Sequence, residues 1–335
     1  MLKRLTNFIR TTLHPENYHG RFVSQPFFEG WYFKVVDSSG KHRYSFIPGV
    51  FLGKSNENSH AFVQVLDGAS SSVEYHRYPI EQFWSADDHF EIRIGDNSFS
   101  LKQIELNINN HQQIVQGNLK FDNPIGWPVH WTSPGVMGWY AWVPNMECYH
   151  GVLGFDHAVS GKIQVNQHEV DFSGGRGYIE KDWGKAFPQS WIWMQSNHFV
   201  HTRASLTASV AIIPWMGSAF AGFIVGFWQN GKLHRFATYA NSRINNLSVN
   251  DKYVVWTMQN RTHILEIQAR QAQGGLLLAP TPQGMGRRIP ETLSANIHVR
   301  LINRKINNVE FEGTGDYAGL EVVGKMDKLI NMAIK

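Results

Sequence analysis

The 335-residue sequence lacks most features of secreted, membrane-spanning and nucleic-acid-binding proteins. Cys148 is its only cysteine, which excludes an intrachain disulfide and a thiolate metal cage and is typical of a reducing compartment. Because no run of about 18 apolar residues occurs, a membrane-spanning helix is not predicted. Lys and Arg exceed Asp and Glu only by 31 to 27 and do not cluster, so nucleic acid is not an expected partner. We expect a cytoplasmic globular protein.

Residues 1–13 have the pattern of a short amphipathic helix. One helical stripe collects the apolar side chains, namely Leu2, Leu5, Phe8, Ile9 and Leu13. The basic residues lie largely elsewhere and are Lys3, Arg4 and Arg10. Two interpretations are open: a helix docked on the body of the protein, or a basic helix that rests on a membrane surface. Docking is favoured because the helix is short and carries only three basic groups.

From Phe28 onward the hydrophobic period changes to two, as β-strands require. Similar runs, separated by short turns, continue to the end of the chain, and Gln229-Asn230-Gly231 is a strong hairpin signal. Two proline-rich stretches, 122–136 and 271–292, are predicted to be long loops. The pattern indicates two consecutive antiparallel, barrel-like units.

The stretch around residue 180 places three charges among bulky aromatic residues. On a strand, Glu180 and Asp182 would share one face and Lys181 would point to the other. Charges beside aromatic rings are costly to desolvate unless they are paired. The residues leave two readings open: a salt-bridged turn between the β units, or a general acid held near Trp183.

Three blocks of the sequence carry a family resemblance. They are Phe27-Phe28-Glu29-Gly30-Trp31-Tyr32-Phe33-Lys34, Met146-Glu147-Cys148-Tyr149-His150, and Glu180-Lys181-Asp182-Trp183-Gly184 with the following Phe187-Pro188 and Trp191–Asn197. Together these blocks resemble the tocopherol cyclase family. The early aromatic strand and the acidic Trp-Gly turn also resemble carotenoid-hydratase-like proteins, which have two lipocalin-like barrels. The sequence departs from the plant enzymes at Lys185-Ala186, where those have a glycine-rich pair.

The resemblance implies an all-β fold of two tandem lipocalin-like antiparallel β-barrels or half-barrels after a short N-terminal helix. The expected limits are 1–20 for the helix and lead-in, 21–189 for the first β domain and 190–335 for the second. The implied function is cofactor-free cyclisation of a prenylated hydroquinone to a chromanol, an isomerase- or lyase-type reaction. An alkene must be protonated by a carboxylic acid kept neutral in an apolar setting, and the cation must be shielded from water. The expected partner is an apolar prenylated small molecule or lipid.

Two alternatives use the same fold. In a hydratase, water would trap the cation instead of the phenol. In a lipocalin-type carrier, a lipid or quinol would bind without reacting. A cyclase needs a carboxylate that faces a dry cavity, whereas a carrier needs a cavity that is apolar throughout.

Candidate site residues follow from the matched blocks and the chemistry. The candidate catalytic residues are Asp182, Glu180, Glu29, Glu147 and His150. The candidate substrate-binding residues are Trp31, Tyr32, Tyr178, Trp183, Trp193, Gln195 and Asn197.

Several of these candidates have a structural alternative. Glu29 could be a buried acid with a raised pKa, or could tie strand ends together through backbone N–H groups; the second is favoured. Glu147 and His150 lie three apart, so on a strand they point to opposite faces and only one is expected in the site. The histidine spacings do not supply three convergent ligands, so no metal is predicted.

Overall fold

The computed structural model describes residues 2–200 and 202–334. Antiparallel β-strands dominate, and contacts divide the chain into two compact units. The first unit contains the chain up to Phe187 together with Leu277–Arg288, and the second contains Pro188–Leu276 and the chain from Ile289 onward. The predicted all-β class with a short N-terminal helix is confirmed, whereas the limits 1–20, 21–189 and 190–335 stay a prediction.

The first unit combines an N-terminal helix with one large antiparallel sheet. The helix is α1 (Leu2–Leu13). The strands are β1 (Phe27–Val36), β2 (Arg43–Leu52), β3 (His60–Asp67), β4 (Val73–Pro79), β5 (Phe83–Ser85), β6 (Glu91–Ile94), β7 (Asn97–Ser100), β8 (Gln103–Asn109), β9 (Ile114–Asp122), β10 (Val129–His130), β11 (Ser133–Pro134), β12 (Cys148–Val165), β13 (His168–Asp171) and β14 (Gly175–Gly184). Twelve of them form the sheet in the order β4-β3-β2-β1-β14-β12-β9-β8-β7-β6-β5, with β13 beside β12, while β10 and β11 form a separate pair.

Strand β14 lies at the centre of this sheet, between β1 and β12. Alternate residues of β1, among them Trp31, Phe33 and Val35, enter the apolar core of the unit and are fully buried. Burying each such side chain contributes about 2–3 kcal/mol. The central position of β14 brings the three blocks of the sequence motif side by side.

The predicted loop 122–136 is irregular up to β10 and then contains the short β10–β11 pair. It leads into a 3-10 segment at Gly135–Trp142, which is kinked at Gly138. This segment returns the chain to the start of β12.

The second unit is also an antiparallel sheet and ends in a helix. Its elements are β15 (Trp191–Ser196), β16 (His198–Phe199), β17 (Ala204–Trp215), β18 (Ser218–Gln229), β19 (Lys232–Ala237), β20 (Arg243–Val249), β21 (Tyr253–Gln259), β22 (His263–Arg270), β23 (Gly275–Thr281), β24 (Gly284–Asn303), β25 (Asn308–Val323) and α2 (Met326–Ala333), of which β23 and β24 run partly through residues of the first unit. The order is β19-β18-β17-β15-β25-β24-β22-β21-β20, with β16 beside β25 and β23 beside β24. Within residues 2–200 and 202–334, neither helix has the length and apolar character that crossing a bilayer requires.

The predicted loop 271–292 is wrong, because most of it forms strands β23 and β24. Part of the reason is a long-range contact of Gln64 in β3. The Gln64 amide donates to the Leu278 carbonyl at 2.9 Å and accepts from the Leu278 N–H at 2.8 Å, as a neighbouring strand would. Proline and glycine content cannot reveal a partner more than 200 residues away in sequence.

Candidate active site

The two faces of β14 carry two different groups of polar residues. Glu180 lies opposite Tyr32 of β1, and Asp182 lies opposite Gly30 of β1 and His150 of β12. Lys181 lies opposite Trp31 and points to the other face. As predicted, the two carboxylates therefore lie on one face of the strand and the lysine lies on the other.

On the Lys181 face, a buried ion pair joins β14 to β1. The Lys181 Nζ lies 2.5 Å from Glu29 Oε1, and neither side chain is exposed. The ammonium also donates to the Asn17 carbonyl at 2.5 Å and to His19 Nδ1 at 2.9 Å, so its three N–H groups all have acceptors. Its charge lies 4.7 Å above the Trp31 ring centroid.

Glu29 holds the lead-in segment that precedes β1. Its carboxylate accepts the backbone N–H of His19 at 2.9 Å and that of Gly20 at 3.1 Å. Burial alone would raise the pKa of Glu29, but the Lys181 ammonium and the His19 contacts outweigh burial and lower it. Glu29 thus binds backbone N–H groups, as the favoured alternative has it, although these belong to the lead-in and not to strand ends. Its place among the catalytic residues stays a prediction.

His19 completes this face as a neutral imidazole. Its Nε2 lies 3.1 Å from the Thr11 carbonyl oxygen, which assigns the ring proton to Nε2 and leaves Nδ1 to accept from Lys181. Burial and the neighbouring Lys181 charge lower the pKa of His19 to about 4. No sequence pattern indicates that His19 lies here, because 162 residues separate it from Lys181.

On the opposite face, His150 bridges two carboxylates. Its Nδ1 lies 2.9 Å from Asp182 Oδ1, and its Nε2 lies 3.6 Å from Glu180 Oε2. Glu180 in turn accepts the Tyr178 hydroxyl at 2.5 Å. Asp182 is the most accessible acid of the cluster, with 27% of its side chain exposed. We call Tyr178, Glu180, Asp182 and His150 the acid–imidazole cluster.

A cavity of about 280 Å³ adjoins both groups. Helix α1, the lead-in, the 3-10 segment and the ends of β12 and β14 line it, with Phe8, Phe27, Met137, His19, His150 and Trp183 in its wall. The Trp183 ring is stacked on His19, with centroids 4.1 Å apart, and on Tyr149 at 5.4 Å. The wall thus combines apolar and aromatic side chains with polar ones, which include the two histidines, Arg4, Asn7, Arg21 and Lys185.

Of the predicted site residues in the first unit, only His150 and Trp183 belong to this wall. Asp182 and Glu180 are connected to it through His150, and Glu29 through His19. Trp31 is core, with its indole N–H donating to the Glu16 carbonyl at 3.1 Å. Tyr32 is buried beside Glu180 in the register of β1 and β14. Glu147 precedes β12; burial raises its pKa, against a smaller opposing effect of Arg287. Its Oε2 is buried without a hydrogen-bond partner among the described residues.

Three predicted ligand-binding residues belong to the second unit. Trp193 and Gln195 lie on β15, between β17 and β25, and Asn197 follows that strand. All three side chains are buried. Their assignment to a ligand stays a prediction.

The acid–imidazole cluster is also a group that could hold a metal ion, since one ligand atom each of His150, Glu180 and Asp182 lies within 4.8 Å of the others. A metal binds a histidine through one ring nitrogen, whereas here each ring nitrogen faces a different carboxylate. The arrangement is therefore better suited to sharing protons than to chelation.

Comparisons with known proteins point in one direction. A family model described as "Tocopherol cyclase-like" matches residues 100–324, which include two of the three motif blocks. The chloroplastic tocopherol cyclase of Zea mays is 24% identical over 368 aligned positions, which cover 92% of this chain and 77% of that protein.

Two solved structures share the fold at low sequence identity. CghA has a TM-score of 0.57 at 10% identity, with 90% of each chain covered. Kievitone hydratase from Nectria haematococca has a TM-score of 0.51 at 11% identity, again with 90% of each chain covered. These likenesses concern the fold, and they confirm the lipocalin-like class predicted for it.

Proposed function

Because this chain belongs to the tocopherol cyclase-like family, we propose that it is an acid–base enzyme that cyclises a prenylated hydroquinone to a chromanol. The observation that carries the proposal is the 2.9 Å contact between His150 and Asp182, with His150 in the wall of a cavity that is partly apolar and aromatic. This contact joins a proton donor and a proton acceptor. A lipid carrier has no need of such a couple.

The reaction is an isomerisation, so the protein must lend one proton and take one back. A proton held between His150 and Asp182 is delivered to the alkene carbon by His150, which lines the cavity; a C–H bond forms, the N–H bond breaks and the positive charge moves to the tertiary carbon. The phenol oxygen attacks that carbon, and as the C–O bond forms the O–H bond breaks. His150 accepts the released proton and returns it to Asp182 along the Nδ1–Oδ1 contact, which restores the starting state.

The surroundings suit the two steps. Glu180, held by the Tyr178 hydroxyl, adds a second negative charge beside His150 and stabilises the imidazolium that forms. Aromatic side chains of the cavity wall, among them Phe8, Phe27 and Tyr149, offer electron-rich rings to the cation. Apolar wall residues such as Phe27 and Met137 keep out water that would trap the cation.

The cavity is suited to the reacting end of the substrate. Its volume of about 280 Å³ is at the lower end of ligand cavities, which span roughly 300–1,000 Å³. We infer that the aromatic ring and the first part of the prenyl chain occupy it, and that the rest of the chain leads out through the opening beside α1.

The test is turnover of a prenylated hydroquinone in D2O under reducing conditions. The expected product has one C–D bond at the former alkene carbon and no added oxygen. Asp182→Asn and His150→Gln are each expected to lower the rate by at least about 10²-fold, while melting temperatures stay near that of the parent. Asp251→Asn, at an exposed aspartate, is the matched control. Unchanged product formation by Asp182→Asn would remove Asp182 from the mechanism.

Hydration of an isoprenoid double bond is a second candidate, favoured by the partial exposure of Asp182, which leaves that carboxylate open to water. The same assay separates it, because a hydrated product gains the mass of one water. Binding with neither product would indicate a carrier.

A further inference from the structure

The opening of the cavity is surrounded by exposed apolar side chains. The first turns of α1 project from the body, leaving Leu2 79% and Leu5 55% exposed. Phe22, at the edge of the same cavity, is 56% exposed. A single exposed apolar residue needs no explanation, but several around one opening are typical of an interaction surface.

Phe22 is held at this opening in an unfavourable backbone conformation. Its φ of 63° lies in the left-handed region, which a bulky residue rarely adopts. The Arg4 guanidinium of α1 donates to the Phe22 carbonyl from Nε at 3.1 Å and from Nη2 at 2.8 Å. The first turns of α1 and the Phe22 ring are thereby fixed beside each other.

Exposed indoles extend this surface beyond Phe8 of α1. Phe8 contacts Trp142, with ring centroids 6.1 Å apart, and Trp142 contacts Trp131 at 5.0 Å. Trp131 is 62% exposed, and Trp139, three residues before Trp142 on the same 3-10 segment, is 46% exposed. Residues three apart on a 3-10 helix lie above one another, so Trp139 continues this edge. We call Leu2, Leu5, Phe22, Trp131 and Trp139 the mouth patch.

The charged residues of helix α1 itself are all basic. Helix α1 contains Lys3, Arg4 and Arg10 and no acidic residue. Arg21 adds nothing to this excess because it pairs with Asp87. Apolar and indole side chains flanked by basic residues are the composition of helices that bind the interface of anionic membranes.

We propose that the mouth patch docks on the surface of an anionic lipid bilayer, with Leu2, Leu5, Phe22 and the two indoles in the headgroup–acyl boundary. Lys3 and Arg4 would then face the anionic headgroups. The patch adjoins the cavity, since Arg4, Phe8 and Phe22 belong to the cavity wall. A prenylated molecule could pass from the bilayer into the cavity without crossing water; that role rests on the proposed function, whereas the docking itself does not.

The test is flotation of the purified protein with vesicles of phosphatidylcholine containing one-third phosphatidylglycerol. Binding is expected at low salt and should weaken with added salt and with phosphatidylcholine alone. Trp131→Ser/Trp139→Ser is expected to lower the partition coefficient by on the order of tenfold or more. Lys3→Glu replaces attraction by repulsion and should lower it by more than about fivefold.

Matched controls exist elsewhere in the first unit. Trp84→Ser removes another exposed indole, and Lys41→Glu reverses another exposed lysine; both should bind as the parent does. Trp131→Ser keeps the backbone carbonyl that accepts the Trp142 indole N–H, so the local fold should persist. Near-ultraviolet circular dichroism checks this.

A second measurement reports directly how deeply the indoles enter the bilayer. Lipids brominated on their acyl chains should quench tryptophan emission of the parent and of Trp84→Ser, but much less that of the double variant.

Two results would overturn the docking: no binding of the parent to anionic vesicles, or equal binding of the parent and the double variant. A parent that is dimeric in solution and becomes monomeric in the double variant would also overturn it, since the patch would then bind a second copy. Because the D2O assay can be run on a short-chain hydroquinone without vesicles, failure of the docking and failure of the reaction are separate results.

Discussion

The ammonium of Lys181 lies 2.5 Å from the carboxylate of Glu29, and neither side chain reaches solvent. The two strands that carry them, β14 and β1, are hydrogen-bonded neighbours, and the pair also holds the Asn17–Gly20 lead-in. A buried pair of this kind is weak evidence for net stability, but removing one partner leaves a buried charge uncompensated. The pair therefore holds the lead-in in place, and the lead-in forms part of the cavity wall.

Lys181→Met should destabilise the protein by about 3–5 kcal/mol, because Glu29 would remain buried without its cation. Adding Glu29→Gln should recover much of this loss. Denaturant unfolding followed by tryptophan fluorescence measures both. Lys162→Met, which removes an exposed lysine paired with Glu169 at 2.8 Å, should have no measurable effect. Equal stability of Lys181→Met and the parent would contradict a structural role for the pair.

Stability should fall as the pH drops from about 6.5 to about 4, in part through His19. In this window the unfolded chain takes up a proton at an ordinary imidazole, whereas folded His19 has a pKa of about 4 and stays neutral. The unfolded state then binds more protons, so protonation favours it, by about 3 kcal/mol in full. Glu29 acts in the same direction at lower pH, since its lowered pKa stabilises the fold only while it is ionised.

Unfolding curves measured at several pH values check this. His19→Gln should flatten the dependence between pH 6.5 and pH 4, where folded His19 is still neutral. His168→Gln, at an exposed histidine, should leave it as in the parent. Parallel curves for the parent and His19→Gln would mean that His19 protonates in the folded state as easily as in water.

Gly184→Ala should cost more than backbone strain alone. Gly184 has a φ of 147°, and a Cβ there would collide with the Glu147 carbonyl oxygen. That oxygen accepts the Lys185 N–H at 2.8 Å and sets the start of β12, which carries His150. We expect a loss of more than about 3 kcal/mol, beyond the range of strain at a single residue, together with lower turnover. Gly217 has a φ of 80°, and a Cβ added there would meet no atom within 4 Å. Gly217→Ala therefore measures the cost of backbone strain alone and should lose less stability than Gly184→Ala.

Treatment of the protein with a metal chelator should leave its turnover rate unchanged. The two nitrogens of His150 face separate carboxylates, which suits hydrogen bonding and not a shared ion. Metal content by mass spectrometry and turnover before and after treatment with a chelator measure this. Loss of activity that zinc restores would show that the acid–imidazole cluster binds a metal in solution.

Much of the fold could be predicted from local patterns. The alternation of apolar and polar residues identified the strands. It also placed Glu180 and Asp182 on one face of β14 and Lys181 on the other. What could not be predicted depends on distant partners: His19 reaches Lys181 through the lead-in, and the proline-rich stretch pairs with β24 and binds the Gln64 amide. Of Glu147 and His150, spacing alone could not say which joins the carboxylates; the register of β12 and β14 does.

Residues that stabilise the fold and residues proposed to transfer protons lie on opposite faces of β14. Lys181 forms the buried ion pair, while Glu180 and Asp182 on either side of it are the residues of the proposed proton transfer. A saturation library of this strand, scored once for cellular abundance and once for turnover, should therefore split by parity. Between Tyr178 and Asp182, substitutions at odd positions would lower abundance and those at even positions would lower specific activity; a single-residue deletion, which exchanges the faces, would abolish both.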